Sequence, residues 1–201
     1  MLGPPGAGKG TQGEVLARSL GVPHIISSEL LSTHVERGTE LGRLAGERMA
    51  AGELVEDDVV DGMMRARLAE SDARGGFVLD GFPRSPTQAA TLAEWLGEDG
   101  ALLDAVVLIE APRQVLVERM LARAEAEHRI DDTPATIAHR LDVYDAETAP
   151  LADYYAEQGL LRRVDGDGTV EEVTERIRAA LGPRDASAVP REAGDSAPGK
   201  V

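Results

Sequence analysis

Gly3-Pro4-Pro5-Gly6-Ala7-Gly8-Lys9-Gly10-Thr11-Gln12, lying two residues from the start of the chain, is the stretch that decides the fold. Up to its lysine it has the spacing of a phosphate-binding loop. Glycines let successive backbone N–H groups turn inward around an anion, and the helix that follows adds its positive end. Lys9 supplies a mobile cation for the outer phosphates of a nucleotide. The residue directly after Lys9 is Gly10, so the hydroxyl of a generic loop is displaced by one position, to Thr11.

The surrounding composition limits what such a loop can serve. Acidic residues outnumber basic ones by 36 to 21 in 201 residues, so the net charge of −15 repels polyanions. Neither nucleic acid nor a membrane is an expected partner, and a phosphate ligand has to meet a local basic cluster. With no cysteine, thiolate metal sites, thiol catalysis and disulfides are all excluded. Aromatic residues make up only 3% of the chain, so the core must be built from Leu, Val, Ile and Ala, which favours helices. No apolar run approaches the length of a membrane span, and no secretory or transit pattern is read at the start; the expected location is the cytoplasm.

Short β-branched runs at Ile25-Ile26, Phe77 to Leu79, Val106 to Ile109 and Leu160 to Val164 alternate with segments of helical period. The helical segments are 11–20, 40–51, 56–73, 85–97, 112–128, 134–158 and 169–181. This alternation predicts an α/β protein with a parallel sheet flanked by helices. Thr133-Pro134 and Thr169, with Glu171-Glu172 behind it, mark helix starts. Residues 183–201 are short of large apolar side chains and are expected to form a disordered tail.

A second motif, Asp80-Gly81-Phe82-Pro83-Arg84, ends the second of these strands, where α/β sheets place ligands. Farther on, Arg119 and Arg123 share a helix face, with Arg129 and Arg140 beyond them. Taken alone, these arginines fit equally a solvated face paired with Glu118, Glu125 and Glu127. The displaced hydroxyl, DGFPR and the arginine series together resemble the adenylate kinases of short-lid type, over nearly the whole chain except the tail.

That resemblance implies a P-loop nucleoside-monophosphate kinase fold with a small AMP-binding helical insert at 26–55 and a short lid at 122–132, all within residues 1–182. It implies reversible transfer of the γ-phosphoryl of Mg-ATP to AMP, giving two ADP, by a monomer. The catalytic set it implies is Lys9, Arg84, Arg119, Arg123, Arg129 and Arg140, with Arg119 joining the transferring phosphoryl group. ATP falls to Gly6, Ala7, Gly8, Lys9, Gly10, Thr11, Arg123 and Gly168, the last of these near adenine. AMP falls to Ser27, Ser32, Glu53, Leu54, Val55, Gly81, Phe82, Pro83, Arg84, Gln88, Arg129 and Arg140, with Gln88 reading the base. Asp80 is the carboxylate expected to hold Mg2+ through water, and Asp131 and Asp132 either cap a helix or hold lid arginines. A zinc-stapled lid is excluded.

Two features depart from the pattern. Ser32 stands where an arginine usually grips the AMP phosphate, so AMP binding should weaken unless a neighbour such as Arg37 substitutes. Only Met1 and Leu2 precede Gly3, although a P-loop normally follows a buried strand; the expectation is a chain that starts farther upstream. Two alternatives remain open at this point: a UMP- or CMP-selective kinase, and a nucleotide-binding protein without catalysis.

Overall fold

The computed structural model describes residues 1–51, 53–127 and 133–182. Four parallel strands form two ladders. β1 (His24–Ile26) pairs with β2 (Val78–Asp80) in the register Ile25 opposite Leu79, and β3 (Val106–Glu110) pairs with β4 (Leu161–Asp165) in the register Leu108 opposite Arg163. Between the ladders run Met1 and Leu2. The Met1 amino group donates to Leu79 O at 2.6 Å, and Leu2 makes a parallel bridge to Leu108. The order across the sheet is thus β1, β2, the Met1–Leu2 pair, β3, β4. The expected parallel sheet is present, its two ladders joined through the Met1–Leu2 pair.

Helices cover the strands as the periodicity predicts, with four differences. α1 (Lys9–Leu20) starts two residues early, because Gly8 in the left-handed region serves as its N-cap. α2 (Ser27–Glu36) follows β1 without a linker, in a segment that the helical period did not mark but that lies within the helical insert expected at 26–55. α3 (Glu40–Ala51), α4 (Asp57–Leu68), α5 (Pro86–Glu98) and α6 (Arg113–Glu127) lie where the pattern put them, although α4 ends early and a 3₁₀ turn takes residues 71–73. The expected helix 134–158 is broken into α7 (Pro134–Val143), a wide π-type turn at 144–148 and α8 (Leu151–Glu157), with Pro150 at the break. α9 (Val170–Leu181) closes the described chain. The predicted starts hold: Thr133 accepts from the Thr136 N–H, and Thr169 forms a full capping box with Glu172.

Apolar packing divides by region. Ile25, Leu31, Ala45, Val55, Met64, Phe82 and Leu92 join α2 to α5 around β1 and β2. Val107, Ile109, Leu116, Met120, Ile137, Val164 and Ile177 join β3, β4, α6, α7 and α9. Phe82 and Tyr155 are the fully aromatic members of an otherwise aliphatic interior, as the composition required. The insert region 26–55 contributes Leu31, Ala45 and Val55 to the first of these cores, so it is packed onto the strands it interrupts. Among the described residues no helix is long and apolar enough to cross a membrane.

Candidate active site

The two motifs meet at the carboxyl end of β2. Asp80, 7% exposed, is the last residue of that strand, and a Cβ built on Gly10 would lie 3.7 Å from its Oδ2. The P-loop turns through Gly6 and Gly8, both at positive φ, before α1 begins at Lys9. Lys9 is half-buried, and its Nζ donates to Pro4 O at 3.0 Å. Burial pushes the Lys9 ammonium down to about 8, with the charges of Arg84 and Arg123 adding to the shift and Asp80 opposing it. Arg84 is likewise lowered, by burial first and by Arg140 second, against the pull of Asp80. Lys9 and Arg84 thus share one buried carboxylate, Asp80, with the charge of Arg123 reaching Lys9 and that of Arg140 reaching Arg84, which supplies local positive charge in a protein of net charge −15.

DGFPR is held from both sides. Gly81, at φ +79°, directs its carbonyl at two donors, Ser27 Oγ at 2.7 Å and Arg84 Nε at 2.8 Å. The Phe82–Pro83 peptide is cis, and Phe82 stacks on Trp95 at a centroid distance of 6.1 Å. Ser27, at the start of α2, is buried. Glu53 pairs with Arg48, Leu54 is half-buried and Val55 is buried, which leaves this segment as a fixed strip in front of α4.

Other expected residues fall as follows. Arg119, on α6, donates to Gly166 O at 2.9 Å and Gly168 O at 3.3 Å. Its guanidinium braces the loop after β4, beside Gly168. Thr11 is exposed on the first turn of α1. Ser32 is half-buried on α2, and Arg37 ends the same helix five residues later, about 140° around its axis, so it does not share the face of Ser32. Arg129, Asp131 and Asp132 lie outside the described residues, as does the tail; of the expected lid, residues 122–127 continue α6.

Sequence reasoning missed Asp57 and Gln12. Asp57 opens α4 and accepts from Gln88 Nε2 at 2.7 Å and from Ser85 Oγ at 3.1 Å. Gln12 is buried and ties α1 to α9, donating to Val170 O and accepting from Thr174 Oγ1. Only the Ser85-Pro86 N-cap signature could have pointed to the first of these networks.

With this geometry in view, the comparisons become decisive. The family model described as adenylate kinase matches residues 1–160. The chain belongs to the adenylate kinase family. Relatives named adenylate kinase agree along almost their full length. One from Xanthomonas euvesicatoria pv. vesicatoria (strain 85-10) is 49% identical over 182 residues, covering 90% of this chain and 97% of the relative. One from Xylella fastidiosa (strain M12) is 48% identical with the same coverage. The chain is therefore an enzyme of the phosphotransferase class, and its α/β fold is that of the P-loop nucleoside-monophosphate kinases.

Proposed function

We propose that the active site catalyses transfer of the γ-phosphoryl group of Mg-ATP to AMP, and the reverse reaction from two ADP. The meeting of the P-loop and DGFPR at the carboxyl end of β2, which brings Lys9 and Arg84 within charge range of the buried Asp80, is the observation that carries this reading. Phosphoryl transfer needs two nucleotides placed in line and cations distributed over the moving group. An oxygen of the AMP α-phosphate attacks the γ-phosphorus, the bond to the β,γ-bridging oxygen breaks, and ADP leaves with that electron pair. The attacking oxygen is already anionic, so no general base is required.

Lys9 and the P-loop amides hold the β- and γ-phosphates of ATP, with Arg123 beside them. Arg84 holds the AMP phosphate, with Arg140 nearby and Arg129 contributing from the lid. Arg119 and Gly168 border the adenine of ATP. Asp80 suits a metal ion that arrives on the nucleotide: it is one buried carboxylate, and no group of three His, Cys, Asp or Glu suited to a metal occurs among the described residues. Mg2+ held there through water by Asp80 would supply positive charge against the charge that develops on the transferring group. The domain reading is a kinase unit over 1–182 with an AMP-side insert at 26–55 and a lid at 122–132. The protein acts as a cytoplasmic monomer without nucleic-acid or membrane partners.

ADP formation from Mg-ATP with AMP, GMP, CMP, UMP or dTMP, using Lys9→Met as blank, tests the reaction and its acceptor. Turnover confined to AMP is expected. Turnover favouring CMP or UMP would replace the acceptor assignment, and silence with every acceptor would refute the activity.

Two further results follow from the site. Because Lys9 titrates at about 8 in the free protein, it is half neutral there, and a bound triphosphate favours its protonated form. ATP binding near pH 8 is therefore expected to take up protons, and ATP affinity should fall as pH rises through 8. Calorimetric binding enthalpies that do not vary with buffer ionisation enthalpy would contradict this. Ser32→Arg should lower the KM for AMP about tenfold by restoring one charge-assisted contact; an unchanged KM would show that Ser32 does not face the phosphate.

A further inference from the structure

Gln88 is the most constrained polar side chain near the acceptor site. It is 3% exposed, and both ends of its amide are held inside the protein. The Arg84 backbone N–H donates to Oε1 at 2.7 Å, and Nε2 donates to Asp57 Oδ1 at 2.7 Å. The other Asp57 oxygen accepts from Ser85 Oγ at 3.1 Å, and that hydroxyl oxygen in turn accepts from the Gln88 N–H at 3.2 Å. A backbone N–H can only donate and a carboxylate can only accept, so the amide has one permitted orientation.

The locked amide keeps one N–H on Nε2 and one lone pair on Oε1 for a ligand. Adenine offers the complementary edge, an acceptor at N1 beside a donor at the 6-amino group. A 6-oxopurine offers the reverse, a donor at N1–H beside an acceptor at O6, which a free amide could match by turning over. We propose that Asp57 is a positioning residue that selects 6-aminopurine over 6-oxopurine acceptors by fixing the orientation of the Gln88 amide. The proposal rests on the reading that Gln88 meets the base of the acceptor nucleotide. Asp57 is well placed for this, since it follows the Glu53–Val55 strip by two residues and opens α4.

AMP and inosine monophosphate differ only at this edge, so the ratio of their kcat/KM values at saturating Mg-ATP reads the amide directly. In Asp57→Ala the ratio is expected to fall at least about tenfold, mainly through a higher KM for AMP. Asp57→Asn can still accept from Gln88 but no longer forbids the turned amide; its ratio should fall about threefold. A cooperatively melting Asp57→Ala protein whose ratio stays within twofold of the parent overturns the proposal. So does an equal loss with both acceptors, which would mark a purely structural role. Should Asp57→Ala fail to fold, Asp57→Asn decides: a threefold fall supports the clamp and an unchanged ratio overturns it. Gln88→Ala separates the two levels. A flat ratio there refutes the base-reading role itself, whereas a low ratio with a flat Asp57→Ala refutes only the clamp.

Discussion

Lys9→Met is expected to lower kcat/KM at least about a thousandfold while leaving the fold in place. The substitution removes the cation proposed to hold the outer phosphates of ATP. Arg84 and Arg123 act on Lys9 through their charge, from β2's end and from α6. Stability should change little. Methionine is a good helix former at the first position of α1, and the bond from Nζ to Pro4 O that disappears is worth about 1 kcal/mol. Removing the charge also relieves its repulsion with Arg84 and Arg123, although Asp80 loses a compensating partner. Steady-state ADP formation together with a thermal melt checks both halves. A variant that melts with the parent yet keeps more than a tenth of its activity would show that Lys9 is not the phosphate-binding cation.

The contrast between what the sequence made legible and what it hid follows the range of the interactions. The P-loop is contiguous, so its glycines, its lysine and the helix behind it could be read from spacing alone, and the structure places Gly8 and Lys9 at the helix start. β2 and β3 were recognisable because a buried parallel strand is a short apolar run between turns. α2 was not marked by its period, because Ser27-Ser28 and Ser32-Thr33-His34 are weak helix formers and the helix begins directly at a strand end with no side-chain cap. The break after α7 was signalled by Pro150, which a long helical period obscured. Asp57 lay 31 residues from Gln88 within an acidic run, where nothing local distinguishes a carboxylate locked to an amide from one left in water. The bracing of Arg119 on Gly166 and Gly168 spans a comparable gap, and charge patterning could not tell it from an exposed helix face.

Gly81→Ala should couple these levels, because one added carbon strikes both the fold and the acceptor site. At φ +79° an alanine carries about 1 kcal/mol of backbone strain, and its Cβ would lie 2.5 Å from Ser27 Oγ and 3.1 Å from Arg84 Nη2. Neither neighbour can withdraw without loss, since both donate to the carbonyl of Gly81 itself. A destabilisation of about 2–4 kcal/mol is expected, from strain together with the displaced hydrogen bonds. Activity should suffer more than stability explains. Arg84 moves with Gly81, and misplacing the cation proposed to receive AMP should lower kcat/KM for AMP about a hundredfold. Ser27→Ala removes the closest obstructing atom, so the double variant should be less destabilised than the sum of the two single ones by about 1 kcal/mol. Strict additivity in denaturant unfolding would mean that Ser27 yields freely and that the close approach at Gly81 carries no energetic weight. A double variant that regains stability without regaining AMP turnover is the expected pattern, because the strained backbone that aims Arg84 persists after the clash with Ser27 has gone.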